Sequence, residues 1–325
     1  MPANLSPEFL KARARFREAT TPAEKLAALE EMLATIPKHK GTDKMQADIK
    51  RRIAKFRAGE EHAQRGRGRS DLHVDHEGAG QVVLLGVPNC GKSSLLAAMT
   101  NAHPEIADYP FSTLRPIPGM MHFEDVPIQL IDLPPMTPEF TESWVYNIVR
   151  ESDLALILMD GAADETPETQ LAQILDLVGA RHVLLSPSRH ESEDERIKIV
   201  PYLLLATKAD RPEHERVLNA VNGDSPPLAV SAQSSQGLDE LARRVFDALE
   251  IVRVYTKLPG KPADMDEPYT LPAGSTILDA VRTVHREFED RLKYVRIWGS
   301  GRFDGQQVPS DHVLADRDVI EIHVR

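Results

Sequence analysis

Residues 86–93 form a glycine loop whose residue types and spacing suit the binding of phosphate groups. Glycines at positions 86 and 91 let the backbone curl so that its N–H groups converge on phosphate oxygens. Lys92 can reach the terminal phosphates, and the hydroxyl of Ser93 suits Mg²⁺. The loop follows an apolar run at 81–85 and precedes a helical pattern at 94–99. This order of strand, loop and helix predicts a nucleoside triphosphate site contacted by Asn89, Cys90, Gly91, Lys92, Ser93 and Ser94.

A second polar segment, Thr207-Lys208-Ala209-Asp210, supplies groups that can select a base. It ends an apolar run, as expected for a loop at the carboxyl end of a sheet strand. The Asp210 carboxylate can accept hydrogen bonds from N1–H and the 2-amino group of guanine, whereas adenine has no donors on that edge. The stem of Lys208 can lie along the base, and the backbone of Ser231-Ala232 can meet the O6 edge. These residues predict that the base is guanine.

Two segments between the phosphate loop and the base loop are suited to sense the third phosphate. Thr113 lies in the loop 109–116, where a threonine hydroxyl can complete a Mg²⁺ shell only when the γ-phosphate is present. Asp132 ends the apolar run 128–132 and can hold Mg²⁺ through water, as a Walker B aspartate does. The predicted Mg²⁺ residues are therefore Ser93, Thr113 and Asp132.

Together these motifs resemble the Obg and developmentally regulated GTP-binding (DRG) branch of the GTPases related to translation factors. The C-terminal part is similar to a TGS domain of the DRG type. The resemblance implies a protein that binds GTP or GDP with Mg²⁺, hydrolyses GTP and acts as a regulatory switch on the ribosome or RNA. The residues that carry it are 86–93 with Asn89, 109–113 with Pro116 and Gly119, 132–134, 207–210 and 231–232, and for the TGS domain 254–257, 294–299, 311–312 and 316–322.

The chain departs from this family at positions that bear on hydrolysis. The usual glycine of the second switch is Pro135, which has no N–H with which to bond a γ-phosphate oxygen. Met136 stands where other GTPases place a water-orienting glutamine, and the segment 136–142 is expected to begin a helix early. Thr207 replaces an asparagine that ties the base to the phosphate loop. We therefore expect weak hydrolysis, and the alternative is a non-hydrolysing guanine-nucleotide-binding module that acts as a scaffold or sensor.

Asn89 offers a way around the missing glutamine, since related GTPases with asparagine at this position can coordinate K⁺ beside the phosphates. A monovalent cation there can stabilise charge in the transition state. Lys92, Thr113 and Asn89 are therefore the predicted catalytic residues, and K⁺ is a candidate cofactor. The alternative interpretation of Asn89 is a loop residue with no catalytic role.

The apolar patterns predict three domains. Residues 71–250 alternate strand and helix and predict an α/β fold, the doubly wound sheet of a P-loop GTPase. Residues 251–325 predict a TGS domain with the ubiquitin-like β-grasp fold, a helix from Thr276 to about Phe288, and Trp298 in the core. Residues 1–70 predict a basic region with a helical hairpin and a linker. This region has 16 Lys and Arg against nine Asp and Glu, while the remainder has 23 against 41, so it can contact RNA phosphates or be an ordinary solvated helix.

The composition is typical of an intracellular protein. Its 41% apolar residues suffice for hydrophobic cores, and its one cysteine, Cys90, cannot form an internal disulfide. The sequence is polar from Pro2 onward, which predicts no signal peptide, and no apolar run approaches bilayer length. We expect a cytoplasmic monomer that binds guanine nucleotide and no membrane. The expected partner is the ribosome, a structured RNA, or a protein that docks on the TGS domain.

Overall fold

The computed structural model describes residues 15, 31–35, 72–102, 115–137, 141–221 and 225–324. The chain divides into two compact units, Met1–His73 and Val74–Arg325. In the first unit, Arg15 forms an ion pair with Glu31 at 3.0 Å, and residues 31–35 are helical. The predicted helical hairpin and most of the basic region 1–70 lie outside the described residues.

A mainly parallel sheet forms the first part of the second unit. Among the described residues its spatial order is β2-β3-β1-β4-β6-β5, with β7 also paired to β6. All of these pairs are parallel except β2 with β3. In chain order the strands are β1 (Gln81–Gly86), β2 (Ile117–Phe123), β3 (Val126–Asp132), β4 (Leu154–Met159), β5 (Val183–Ser186), β6 (Lys198–Ala206) and β7 (Leu228–Ala229).

Helices cover both faces of this sheet, which confirms the predicted doubly wound fold. They are α1 (Lys92–Met99), α2 (Ser143–Glu151), α3 (Pro167–Gly179), α4 (His214–Ala220) and α5 (Leu238–Leu249). α2, α3 and α4 pack on one face, and α1 and α5 on the other. β1 and β4 are buried at every position, as expected for central strands covered on both sides. The carboxyl ends of the parallel strands share one edge, and the loops that leave it carry the predicted site residues.

A second sheet of five strands follows α5 directly. Its order is β11-β10-β12-β8-β9, and helix α6 (Ile277–Val284) packs against it through Ile277, Ala280 and Val281. Thr276 and Asp279 form a capping box at the start of α6. This sheet and helix confirm the predicted β-grasp fold. The strands are β8 (Ile251–Lys257), β9 (Ala263–Pro272), β10 (Leu292–Trp298), β11 (Gln306–Val308) and β12 (Asp318–Val324), and a short helix α7 spans Glu287–Arg291.

Two local predictions in this second sheet are wrong. The helix expected to reach Phe288 ends at Val284, because His285 has extended backbone, and the separate short helix α7 packs Phe288 against the core. Trp298 is half-buried and lies outside the core. Val295 and Ile297 are buried beneath α6, so the alternation of the strand turns Trp298 to the opposite face. There the Lys257 ammonium lies 4.2 Å from the centre of its ring.

Arg253 on β8 joins the two sheets. Its side chain is only 4% exposed, and its guanidinium donates to Asp316 at 3.0 and 2.6 Å, to Asp125 at 3.0 Å and to Glu124. Glu124 and Asp125 form the turn between β2 and β3. Burial alone would raise the pKa of Asp125, but hydrogen bonds from Tyr255 and Arg253 hold it below its ordinary value. The turn is therefore ionised at neutral pH and clamps the second sheet to the first.

Candidate functional site

The phosphate loop leaves β1 and enters α1 through two residues in the left-handed region. Asn89 has φ 58° and Gly91 has φ 97°, and turns of this kind line an anion-binding concavity with successive backbone N–H groups. A Cβ atom on Gly86 would lie 2.5 Å from Cys90 Sγ and 2.8 Å from the carbonyl oxygen of Leu158. Glycine is thus required where the loop leaves the sheet, as the sequence spacing predicts.

Lys92 folds across this loop. Its ammonium donates to the carbonyl oxygens of Gly86 at 3.0 Å and Val87 at 3.1 Å, and it lies 3.7 Å from Cys90 Sγ. Burial raises the pKa of the Cys90 thiol, and the nearby Lys92 charge opposes this only in part. Cys90 is therefore a protonated packing residue at neutral pH, and Lys92 brings a positive charge to the loop.

Ser93 and Asp132 form a pair of oxygen groups beside the loop. The register of β1 with β3 places Asp132 opposite Leu84, which brings the end of β3 next to the start of α1. The Ser93 hydroxyl donates to Asp132 Oδ2 at 2.5 Å, and Asp132 is fully buried. A buried carboxylate beside a hydroxyl supplies the hard oxygen ligands that Mg²⁺ prefers, so these two residues fit the ion. Thr113, the third predicted ligand, lies outside the described residues.

A pocket of about 170 Å³ lies between the phosphate loop and the base loop. It brings residues predicted to bind phosphate together with residues predicted to bind the base. Arg211 and Gln233 also line it, although nothing in the sequence distinguishes them from solvated loop residues. The lining residues are Gly91, Ser94, Leu95, Thr207, Lys208, Asp210, Arg211, Val230, Ala232 and Gln233.

Asp210 is held by the loop that follows β7. The Ser231 hydroxyl donates to Asp210 Oδ1 at 2.5 Å. This bond is the main reason that the pKa of Asp210 lies below its ordinary value, against a smaller opposing effect of burial. The carboxylate is therefore ionised at neutral pH. The Ser231 N–H donates to the carbonyl oxygen of Gln236 at 2.9 Å, whereas Ala232 lines the pocket.

The base loop is also fastened to the end of β4. Thr207 donates through both its N–H and its hydroxyl to the carbonyl oxygen of Met159, each at 3.0 Å. The Lys208 ammonium donates to Asp160 Oδ2 at 2.5 Å. Asp160 was not among the residues predicted for the site. The available signal was that the apolar run 154–159 ends in a carboxylate, as the run before Asp132 does.

Comparison with known proteins gives the same assignment as this geometry. Residues 81–186 match the family described as 50S ribosome-binding GTPase, and residues 252–324 match the TGS domain. An uncharacterized GTP-binding protein of Halobacterium salinarum is 28% identical over 93% of this chain and 99% of its own length. Developmentally-regulated G-protein 1 of Arabidopsis thaliana is 28% identical over 92% of this chain and 90% of its own length. This chain is a GTP-binding protein of the DRG type.

A solved structure supports the fold of this DRG-type protein. The YchF GTPase of Schizosaccharomyces pombe aligns with a TM-score of 0.51 over 77% of this chain and 99% of that chain, at 14% sequence identity. In the described part of this DRG-type protein, no helix has both the length and the apolar character needed to cross a bilayer.

In the predicted second switch of this DRG-type protein, the Met136 side chain is directed into the hydrophobic core and does not line the pocket. Met136 is fully buried in the hydrophobic core with Val145 and Val149, and its N–H donates to the carbonyl oxygen of Gly86 at 3.3 Å. The expected early helix is wrong, because α2 begins only at Ser143 and residues 133–137 are irregular. Pro138 in the sequence explains this in part, since proline disfavours helical backbone at the preceding residue, Thr137. Residues 138–140 lie outside the described residues.

Proposed function

We propose that this DRG-type protein binds GTP and GDP with Mg²⁺, hydrolyses GTP slowly, and acts as a switch on the ribosome or a structured RNA. The strongest support is the pocket that joins the phosphate loop to Asp210. A guanine nucleotide has a phosphate chain at one end and a donor-rich base edge at the other, and this pocket offers groups for both.

Binding depends on two sets of groups in this proposal. The loop 89–94, with Asn89, Cys90, Gly91, Ser93 and Ser94 contributing backbone N–H groups, and the Lys92 ammonium bind the phosphates. The ionised Asp210 accepts N1–H and the 2-amino group of guanine. Because the Ser231 N–H already donates to Gln236, the contact with guanine O6 falls to the backbone of Ala232. Thr207 acts by holding the loop to β4.

Hydrolysis depends on fewer groups. Ser93, Thr113 and Asp132 would hold Mg²⁺, which supplies positive charge to the phosphates during the transfer. Lys92 would stabilise charge on the phosphates, and Asn89, which is exposed at the tip of the loop, would hold K⁺ beside them. Met136 is buried and Pro135 has no N–H, so these two positions of the second switch contribute neither to water orientation nor to a γ-phosphate contact. The rate is therefore low.

The same two residues favour a second candidate function. A DRG-type protein whose second switch neither orients water nor bonds the γ-phosphate can act as a non-hydrolysing scaffold or sensor. In that case GTP and GDP would bind at the same pocket, and turnover would equal that of a binding-deficient variant.

We also propose a partner, domain bounds and a location for this protein. The matched family is described as ribosome-binding, which supports a ribosome or RNA partner reached through the basic region 1–70 or the TGS domain 251–325, with a protein partner on the TGS domain as the alternative. The GTP-binding domain would span 71–250. A switch that uses GTP beside the ribosome would act in the cytoplasm, as a monomer.

Phosphate release from GTP by the purified protein tests the proposal. The assay contains Mg²⁺ with either K⁺ or Na⁺ as the other cation, and Lys92→Ala serves as the blank. Turnover above the blank that rises in K⁺ supports a slow GTPase that uses Asn89, and turnover independent of K⁺ removes Asn89 from the mechanism. Guanine-nucleotide binding with no turnover supports the non-hydrolysing module.

A further inference from the structure

We infer that Asp160 is a positioning residue that holds the Lys208 ammonium so that the Lys208 stem forms a wall of the base pocket. This inference rests on the proposed binding of guanine nucleotide at that pocket. Lys208 lines the pocket, and its Nζ lies 2.5 Å from Asp160 Oδ2. Its backbone has φ 57°, a conformation uncommon for a residue with a side chain. The backbone conformation that a lysine prefers therefore does not by itself explain the position of the Lys208 side chain.

Asp160 is itself fixed by four further hydrogen bonds, one of them from the Ala163 N–H to its carbonyl oxygen at 3.3 Å. Its Oδ1 accepts the N–H of Ala162 at 2.9 Å, its own N–H donates to Gln170 Oε1 at 3.1 Å, and its carbonyl oxygen accepts Gln170 Nε2 at 2.9 Å. Gln170 lies on α3 and is fully buried. Because these contacts fix both the backbone and one carboxylate oxygen, the position of Oδ2 is set before Lys208 binds to it.

The position of Thr207 increases the importance of this ion pair. The Thr207 hydroxyl donates to Met159 at 3.0 Å, so it is directed towards β4. An asparagine at this position in the family ties the base to the phosphate loop instead. In this chain two successive residues fasten the base loop to the end of β4, Thr207 through Met159 and Lys208 through Asp160. The geometry of the base pocket therefore depends on the end of β4.

The energetic effect of Asp160 is a reduction in the entropy lost on binding. A lysine side chain loses considerable rotamer freedom when it is ordered against a ligand. The Lys208 side chain is 30% exposed and that of Asp160 is 9% exposed, so the ion pair is screened less than one on the open surface. Ordering Lys208 before the nucleotide arrives removes part of that loss from the binding step. Asp160 thus raises affinity without touching the nucleotide.

Affinities of the full chain for GDP and for inorganic pyrophosphate test this role. Asp160→Asn keeps an oxygen for the Ala162 N–H but removes the charge that binds Lys208. We expect its Kd for GDP to rise about 10-fold and its Kd for pyrophosphate, which contacts only the phosphate loop, to change less than about 2-fold. Asp160→Glu keeps the charge and is expected to restore GDP affinity to within about 3-fold of the original. Asp194→Asn, which removes an exposed ion pair with Arg196, is the matched control and retains full affinity.

A double-mutant cycle with Lys208→Met separates positioning from general destabilisation. Each single change is expected to weaken GDP binding about 10-fold, and the pair together about 10- to 20-fold rather than the 100-fold product. A 100-fold loss in the double variant, unchanged GDP affinity in Asp160→Asn, or a parallel loss of pyrophosphate affinity would overturn this inference alone. If Asp160→Asn fails to fold, the cycle of Asp160→Ser with Lys208→Met decides in the same way, since Asp160→Ser also removes the charge that binds Lys208. If the original chain binds no GDP, the proposed function fails as well.

Discussion

The two sides of the nucleotide pocket differ in what their side chains contact. On the base side, Asp210 and Lys208 are polar, line the pocket, and are held by hydrogen bonds from Ser231 and to Asp160. On the side of the second switch, Met136 is fully buried in the core. The base side thus presents fixed polar groups to a ligand, while the switch side uses its side chain to stabilise the fold. This contrast is consistent with the proposal that the protein binds a guanine nucleotide and hydrolyses GTP slowly.

Removing the charge of Asp210 is expected to have the largest effect on the base side. In Asp210→Asn the amide presents a donor where guanine also has a donor, so GDP affinity falls at least about 100-fold. The same amide can donate to the 2-oxo group of xanthine while accepting its N1–H, so xanthosine diphosphate is expected to bind more tightly than GDP. Titration with both nucleotides checks this, with Asp194→Asn as the control. Unchanged preference for GDP would show that Asp210 does not contact the base.

Introducing glutamine at position 136 tests the switch side. Because Met136 is fully buried, Met136→Gln would place an amide in the core and lower the free energy of unfolding by about 2–4 kcal/mol. GTP turnover is not expected to rise. Met136→Leu, which preserves apolar volume, is expected to cost less than about 1.5 kcal/mol. Denaturant unfolding and phosphate release measure the two effects. A stable Met136→Gln variant with at least 10-fold faster turnover would show that this side chain reaches the nucleotide.

Loss of the Ser231 hydroxyl is expected to have a smaller effect that depends on pH. The hydrogen bond from Ser231 lowers the pKa of Asp210, so the carboxylate stays ionised at pH values below the ordinary range of aspartate pKa values. GDP affinity is therefore lost only as the pH falls through this lowered pKa. In Ser231→Ala the pKa of Asp210 rises back towards its ordinary range, so the loss of GDP affinity in acid moves to higher pH. At neutral pH we expect a loss of about 3- to 5-fold. Loss of GDP affinity at the same acidic pH in Ser231→Ala and in the original protein would contradict this prediction.

Much of the site was predictable because its residues sit where apolar runs end. The phosphate loop, Asp132 and the base loop each follow a buried strand, and parallel strands bring such ends to one edge. The partner of Lys208 was not predictable in this way. Asp160 lies 48 residues earlier, and the contact exists only because β4 and β6 are neighbours in the sheet. An aspartate after an apolar run is equally compatible with a solvated loop.

The direction in which a side chain faces was the other property that could not be predicted from the sequence. An apolar residue after Pro135 can face either a ligand or the hydrophobic core. Met136 faces the core, because α2 packs beneath this segment. Trp298 was expected in the core by its type, but its strand already buries Val295 and Ile297 on that side. Residue type thus predicts whether a position can be buried, and register decides whether it is.

Single-turnover GTP hydrolysis, with protein in excess over nucleotide, tests the contrast between the two sides most directly. Binding is followed with a fluorescent guanine nucleotide and conversion by phosphate release, in Mg²⁺ and K⁺. The expected result is capture of the nucleotide on mixing, followed by conversion slower than about 10⁻² s⁻¹. Conversion at about 1 s⁻¹ or faster would contradict the account, because it would require a group that orients water where Met136 is buried.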